Sequence, residues 1–246
     1  MKKIAIIGAT SAIAHEAAKI WAKDKAEFFL VARNREKLEK VAADLDVRGA
    51  SKTHCYCLDA NDFSAHGTMV DTCFTTLRQV EIVLIAYGSL PRQEECEKDL
   101  DLAVREFSTN ATSTIALLGY FANGFAGQKF GTLAVISSVA GDRGRPSIYL
   151  YGSAKAAVSQ YCQGLRARLF SRGVSLCLIK PGMVETPMTA GLSLPKALTA
   201  EASRVGEDIV LAIARKKDVI YTPGYWFFIM LVIRCIPNFI FKRLNL

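Results

Sequence analysis

The sequence predicts one α/β domain, a doubly wound, seven-stranded parallel sheet over residues 1–223, followed by an apolar tail over residues 224–246. Three observations carry that prediction. Short apolar runs alternate with stretches of helical period, the pattern of a parallel sheet covered on both faces. The first run ends in a turn of small residues that opens a helix, the βα unit that seats a phosphate at a helix N-terminus. The chemically distinctive residues fall at the carboxyl ends of the runs, where such sheets bind ligands. With 246 residues, 51% of them apolar, the chain suits one such core rather than two.

The first strand, Ile4–Ile7, runs into Gly8-Ala-Thr-Ser-Ala-Ile-Ala14 and a helical stretch, His15–Lys23. Small side chains let a pyrophosphate approach the backbone, so Gly8, Thr10, Ser11, Ala12 and Ile13 are candidate contacts. Phe28–Ala32 is the second strand, and Leu38, Val41, Ala42 and Leu45 mark the next helix at i, i+3, i+4, i+7. At the end of the second strand a dinucleotide fold meets the adenosine ribose. A carboxylate there binds the 2′-hydroxyl, and arginine accommodates a 2′-phosphate. The sequence offers Arg33, with Arg35 nearby, and no carboxylate, which favours NADP(H) over NAD(H).

Thr53–Leu58 is the third strand and ends at Asp59-Ala60; Met69, Val70, Cys73, Phe74 and Leu77 mark the helix after it. The fourth, Glu81–Ile85, leads to Ala86-Tyr87-Gly88, and a long helix is expected over Asp99–Gln128 with Asn110 near its middle. Strand five is Leu133–Ser137, and strand six, Val174–Ile179, closes on Lys180-Pro181-Gly182. The helix between them, Tyr149–Arg172, has the stripe Val158, Tyr161, Cys162, Leu165 and Leu169. Val184–Ala200 has few charges, and with Met183, Met188, Leu192 and Leu194 it reads as a lid over an apolar substrate. A helix, Glu201–Arg215, and a seventh strand, Val219–Thr222, complete the domain.

The stretch Ser137–Lys155 carries the chemistry. Tyr151 and Lys155 are four residues apart, so they share a helix face. An ammonium beside a phenol favours the phenolate and is expected to lower a pKa that starts near ~10. Ser138, at the end of strand five, is placed to reach the same reacting oxygen.

The totals exclude other classes. The +8 net charge comes with no Lys/Arg block interleaved with aromatics, so nucleic acid is not the expected partner. The cysteines, seven in all, are scattered with no Cys-x-x-Cys, and the histidines lack ligand spacing. We expect no metal, free thiols and a reducing compartment, with Cys55 and Cys57 packing on one strand face. Lys2-Lys3 with the apolar run after it has the outline of a signal peptide, but cleavage would remove the first strand and its loop.

Gly8 to Ala14, Arg33, Asp59, Gly88, Asn110, Ser138, Tyr151-x-x-x-Lys155 and Pro181-Gly182-x-Val184-x-Thr186, in this order, resemble the short-chain dehydrogenase/reductase family over residues 3–223. The resemblance implies a Rossmann-type fold and a set of roles. Tyr151 is the proton donor in carbonyl reduction, Ser138 polarises the carbonyl, Lys155 tunes the tyrosine and holds the nicotinamide ribose, and Asn110 anchors a water relay. Asp59, with Ala60 after it, meets the adenine; Pro181, Gly182, Val184 and Thr186 border the nicotinamide. Two features depart: Ala12 and Ala14 replace glycines, and Ile85-Ala86-Tyr87-Gly88 replaces Asn-Asn-Ala-Gly, removing asparagines that tie neighbouring strands together.

Gly141-Asp142-Arg143-Gly-Arg145 and the tail also look like the decaprenylphosphoryl-2-keto-ribose 2-reductases. Arg143 and Arg145 are therefore candidate contacts for a substrate phosphate, with Met183 and Met188 as apolar substrate contacts. In the tail, Tyr225–Ile233 is apolar and is followed by Arg234, Pro237 and Lys242-Arg243. It is too short and broken to span a bilayer, and it suits a helix lying at a membrane surface over residues 225–243. A subunit interface, a protein-docking helix and an ordinary core element are the other readings of the tail. The sequence reading is thus an NADPH-dependent ketone reductase of a lipid-linked keto-sugar, peripheral on the cytoplasmic membrane face and homo-oligomeric (dimer or tetramer). The alternatives are a reductase or dehydrogenase of a steroid, retinoid or fatty-acyl ketone, and a non-catalytic dinucleotide-binding regulator.

Overall fold

The structure, a computed structural model, describes residues 1–244. Seven strands form one sheet in the order β3-β2-β1-β4-β5-β6-β9: β1 Lys3–Ile7, β2 Glu27–Ala32, β3 Lys52–Cys57, β4 Ile82–Ile85, β5 Thr132–Ile136, β6 Ser175–Pro181 and β9 Val219–Thr222. Every pairing is parallel. β7 (Met183–Glu185) and β8 (Thr199–Glu201) make a separate parallel pair.

Each strand divides its side chains between two cores, because neighbours along a strand point to opposite faces. Ile4, Ile6, Phe28, Leu30 and Leu84 pack under α1 (Ala12–Lys23), α2 (Arg35–Val47) and α8 (Ala202–Ala214). Ala5, Ile7, Phe29, Val31, Val83 and Ile85 face α3 (His66–Leu77), α6 (Ser113–Gln128) and α7 (Tyr149–Phe170). α1 and α8 touch closely because Gly206 has no side chain: a Cβ there would lie 2.8 Å from Ala17 N.

The order of strands reverses between β1 and β4, which opens a crevice beyond their carboxyl ends. Gly8 and Gly88 stand there. Gly8 takes φ +91°, and a Cβ on it would meet Tyr87 N at 2.6 Å, so glycine is required twice over.

Four expectations change. The helix expected over Asp99–Gln128 runs as α5 (Leu100–Phe107), a π turn over Ser108–Thr112 that contains Asn110, and α6, with a separate short helix, α4 (Gln93–Lys98), before it. The π turn is a local change of hydrogen bonding that no residue of Ser108–Thr112 announces in the sequence. The expected lid is held at both ends by the β7–β8 pair. Cys55 and Cys57 do share a face, but on edge strand β3 that face is exposed. The tail folds into α9 (Tyr225–Cys235) and α10 (Asn238–Phe241), with Trp226 and Met230 buried against Val139. Among the described residues no helix is long and apolar enough to cross a membrane.

Candidate active site

One cavity of about 460 Å³ brings together most of the expected residues: Gly8, Thr10, Ser11, Ala12, Ile13, Gly88, Ser138, Arg145, Tyr151, Lys155, Pro181, Gly182, Met183, Val184, Thr186 and Met188. At its nucleotide end, helix α1 begins without any side-chain cap and without an acidic residue in its first turn. Its leading N–H groups therefore remain available to an anion, reinforced by the helix dipole. A Cβ on Gly88 would fall 2.8 Å from Asn110 Oδ1 and 3.5 Å from Lys155 Nζ, so glycine lets the end of the β4 segment pack closely on both side chains. These residues fit a dinucleotide.

Arg33, Asp59 and Ala60 lie outside the cavity, past the ends of β2 and β3. The two strand ends are level, since Leu58 N donates to Ala32 O (3.2 Å). Arg33 is exposed and makes no ion pair or side-chain hydrogen bond among the described residues, whereas Arg35 is held by Glu39 (2.8 Å). The unengaged guanidinium at this edge is thus Arg33. Asp59 Oδ1 accepts from Asn61 N (2.9 Å), and the Ala60 carbonyl pairs with His66 Nε2 (2.9 Å).

Close backbone contact fixes the catalytic geometry. Ser138 ends the β5 segment and caps a short 3₁₀ turn, Val139–Gly141, by accepting from Ala140 N (3.1 Å). That turn lies directly on α7. A Cβ on Gly141 would come within 2.8 Å of Ala156 N, and one on Gly152 within 2.8 Å of Ala140 O. Two glycines, one on each partner, hold the serine loop at a set distance from Tyr151 and Lys155. Ser137 extends the lock, donating to Lys155 O (3.0 Å) and pairing with Ser159 Oγ (2.8 Å).

Lys155 Nζ donates to Ile136 O (3.3 Å) and lies 5.6 Å from the centre of the Tyr151 ring. Burial pushes the ammonium down to about 8. The expected lowering of the tyrosine is not found: burial pushes Tyr151 up to about 12, and the Ser138 hydroxyl offsets this only in part. Removing both groups from water disfavours the charged form of each, and with the ammonium beside the ring rather than at the hydroxyl, desolvation prevails.

Asn110, 1% exposed, is fully engaged. Its Oδ1 accepts from Ser89 N (3.1 Å), and its Nδ2 donates to Ser89 Oγ and Glu106 O (both 3.0 Å). Ser89 also donates to the Glu106 carboxylate. This network holds the π turn beside Gly88 and Lys155. Tyr87 takes up part of the tie expected of the absent asparagines: its hydroxyl pairs with Ser113 Oγ (2.9 Å), joining the end of β4 to α6.

The two arginines after the serine separate. Arg145 lines the cavity, has no ion pair or side-chain hydrogen bond among the described residues, and is shifted down by burial. Arg143 does not reach the cavity, a correction to its expected role. It donates to the carbonyls of Arg234 (3.2 Å) and Ile236 (3.1 Å) and to Asn238 Oδ1 (2.7 Å), and it stacks on Phe241 at 4.3 Å. Asp142 beside it accepts from Lys180 Nζ and Tyr221 Oη, both at 2.6 Å. This dipeptide ties the serine loop to β6, β9 and the tail.

Several cavity residues escaped sequence reasoning. Leu90 and Ile148 add apolar wall beside the expected lid residues Leu192 and Leu194, and Trp226 comes from the tail. Thr189 donates to Val184 O (2.7 Å) and accepts from Thr186 N (3.1 Å), closing a turn at the lid's start. The Thr186/Thr189 spacing was the available signal for that turn.

Residues 2–197 match the sequence profile described as short chain dehydrogenase. An uncharacterized oxidoreductase of Mycobacterium tuberculosis is 33% identical over 98% of this chain and 96% of its own length. One from Streptomyces coelicolor is 32% identical over 99% and 96%. Among solved structures, a short-chain type dehydrogenase/reductase from Mycobacterium ulcerans superposes with a TM-score of 0.80 at 20% identity, covering 89% of this chain and 87% of that one. Extent of match and fold agree: the chain belongs to the short-chain dehydrogenase family and is an NAD(P)-dependent oxidoreductase.

Proposed function

We propose that the protein is an NADPH-dependent reductase of ketones that carry an anionic group, a lipid-linked keto-sugar phosphate being the best fit. One observation carries the reading. An arginine without a partner, Arg145, shares a largely apolar cavity with Ser138, Tyr151 and Lys155. A desolvated guanidinium is costly unless an anion meets it, and the surrounding Leu90, Met183, Met188 and Leu194 accept an aliphatic chain. The free Arg33 at the β2 edge favours the 2′-phosphate.

When bound, the nicotinamide supplies a hydride to the carbonyl carbon. The chain's residues do the rest. Ser138 donates a hydrogen bond to the carbonyl oxygen, and Tyr151 gives that oxygen its proton, so ketone becomes secondary alcohol. Tyr151 held in the neutral form at neutral pH suits a proton donor. Lys155 steadies the phenolate left behind, and its own lowered pKa lets it hand on a proton near pH 8.

The tail fits a membrane surface. Phe227, Phe228, Leu231 and Val232 on α9 and Phe239 and Ile240 on α10 are exposed, with Arg234, Lys242 and Arg243 among them. An NADPH-oxidation assay across polyprenyl-phosphate keto-sugars, fatty-acyl ketones and steroid ketones tests the substrate class. Best turnover with an uncharged ketone would remove the anionic assignment.

A further inference from the structure

The π turn that carries Asn110 is gripped from two sides. On one side is the loop after β4. Ser89 N donates to Asn110 Oδ1 (3.1 Å), Asn110 Nδ2 donates back to Ser89 Oγ (3.0 Å), and Ser89 Oγ donates to the Glu106 carboxylate. On the other side is the loop after β3, acting through Asn61. Asn61 Nδ2 donates to Thr109 Oγ1 (2.8 Å), and Asn61 Oδ1 accepts from Ser108 Oγ (2.9 Å). The direction of both bonds is forced. Thr109 gives its hydroxyl proton to Arg105 O (3.0 Å), so its oxygen can only accept. That turns the Asn61 nitrogen toward Thr109 and leaves the Asn61 oxygen for Ser108. The backbone N–H of Asn61 donates to Asp59 Oδ1 (2.9 Å), which ties the residue to the end of β3. Asn61 is exposed, so these hydrogen bonds, rather than burial, set its position.

The two grips belong to opposite halves of the cleft. With a pyrophosphate at the start of α1, the adenosine ribose falls at the end of β2. β3 is the strand beside β2, and their ends are level, so the Asp59–Asn61 loop borders the adenosine half. Asn110 packs on Gly88 together with Lys155, at the catalytic half. Two of the five residues of the π turn thus hold a residue of the adenosine loop, and a third belongs to the expected catalytic set.

We propose that Asn61 is a positioning residue that couples the adenosine half of the cleft to the catalytic turn: an adenosine phosphate seated beyond β2 and β3 steadies the Asp59–Asn61 loop, and Asn61 passes that order through Ser108 and Thr109 to Asn110. It touches no reacting atom and acts on turnover through Asn110. This rests on the NAD(P)-dependent reductase reading of the cavity.

The test compares the full-length wild type with Asn61→Ala and with Ser108→Ala/Thr109→Val, which removes the partners and keeps Asn61. Circular dichroism checks the fold. Hydrogen–deuterium exchange of residues 105–113 is read without ligand and with saturating adenosine 2′,5′-bisphosphate or AMP, probes that carry the adenosine half and lack the nicotinamide. In the wild type the probe should slow exchange of this segment several-fold. Both variants should bind the probe with unchanged affinity and lose the slowing. With NADPH and a ketone the wild type reduces, both should lose about tenfold in kcat with KM for either substrate unchanged, the worth of one or two hydrogen bonds. A contact serving stability alone would leave the probe-dependent slowing intact. No slowing in the wild type, slowing kept in the variants, weaker probe binding in Asn61→Ala, or unchanged kcat would each overturn the proposal while wild-type turnover keeps the reductase reading. A wild type that binds the probe and shows the coupling but reduces no carbonyl would instead fail that reading.

Discussion

Replacing Lys155 by Met should stabilise the protein without ligand while destroying its activity. The ammonium is buried, its one protein partner is the Ile136 carbonyl at 3.3 Å, and its pKa falls from 10.5 to about 8. A drop of that size corresponds to about 3 kcal/mol of disfavoured charge, an upper figure for a site that water and relaxation soften. Between about pH 8 and 10.5 the unfolded chain holds a proton on this lysine that the folded chain has released. Stability therefore rises with pH through that window; the full cost applies below pH 8 and is gone above about 10.5. Met fills similar volume with no charge, so the variant should be more stable at pH 7 by about 1–3 kcal/mol, or a few degrees in Tm. The gap should close as pH rises through the window. Thermal unfolding of both proteins from pH 6 to 11, without nucleotide, measures it. A variant less stable than wild type at pH 7, or a gap independent of pH, would refute the view that Lys155 is held charged at a cost.

The remaining predictions concern turnover and binding. Tyr151→Phe should lower kcat by at least about a hundredfold, with NADPH affinity retained, as steady-state rates and nucleotide titration will show. Arg33→Ala should weaken NADPH by about tenfold or more and leave NADH nearly unchanged, the cost of a charge-assisted contact to the 2′-phosphate. Arg145→Gln should raise KM for phosphorylated ketones and not for neutral ones, and the ratio across the two substrates is the measurement. Phe228→Glu with Val232→Glu, at side chains 67% and 65% exposed, should abolish flotation with anionic vesicles and spare turnover of a soluble ketone. Unchanged flotation would turn the tail's outer face from lipid toward a protein partner.

The legible parts of this chain were those governed by local rules. Short apolar runs between stretches of period 3.6 located all seven strands of the main sheet to within two residues, because strands covered on both faces are apolar throughout. Gly8, Ser138, Tyr151 and Lys155 were legible because turn geometry and helix spacing tie function to fixed separations. What escaped depends on contacts across long separations. The indole of Trp226 lies on Gly182, and no pattern in either segment announces the other. Arg143 and Arg145 flank a single glycine, yet one meets tail carbonyls and the other an apolar cavity. The tyrosine pKa was misjudged for a related reason: spacing shows that Lys155 is near, not that both groups are stripped of water.

The division of labour between those arginines bears on how the enzyme would meet the proposed lipid substrate. α9 presents Trp226 and Met230 inward and Phe228, Leu231 and Val232 outward, so one helix is both cavity wall and candidate membrane face. Arg143 fixes the end of that helix to the serine loop, where the adjacent Asp142 holds Lys180 and Tyr221. Four residues upstream of Asp142 stands Ser138, in a loop pressed onto α7 by Gly141 and Gly152. A displacement of the tail would therefore be carried through Arg143 to Ser138, the proposed carbonyl-polarising group, rather than absorbed in a flexible linker. Arg143→Ala should then lower kcat as well as membrane affinity, although its guanidinium never reaches the cavity. A variant with weakened flotation and unchanged kcat on a soluble ketone would show the tail to be an anchor alone.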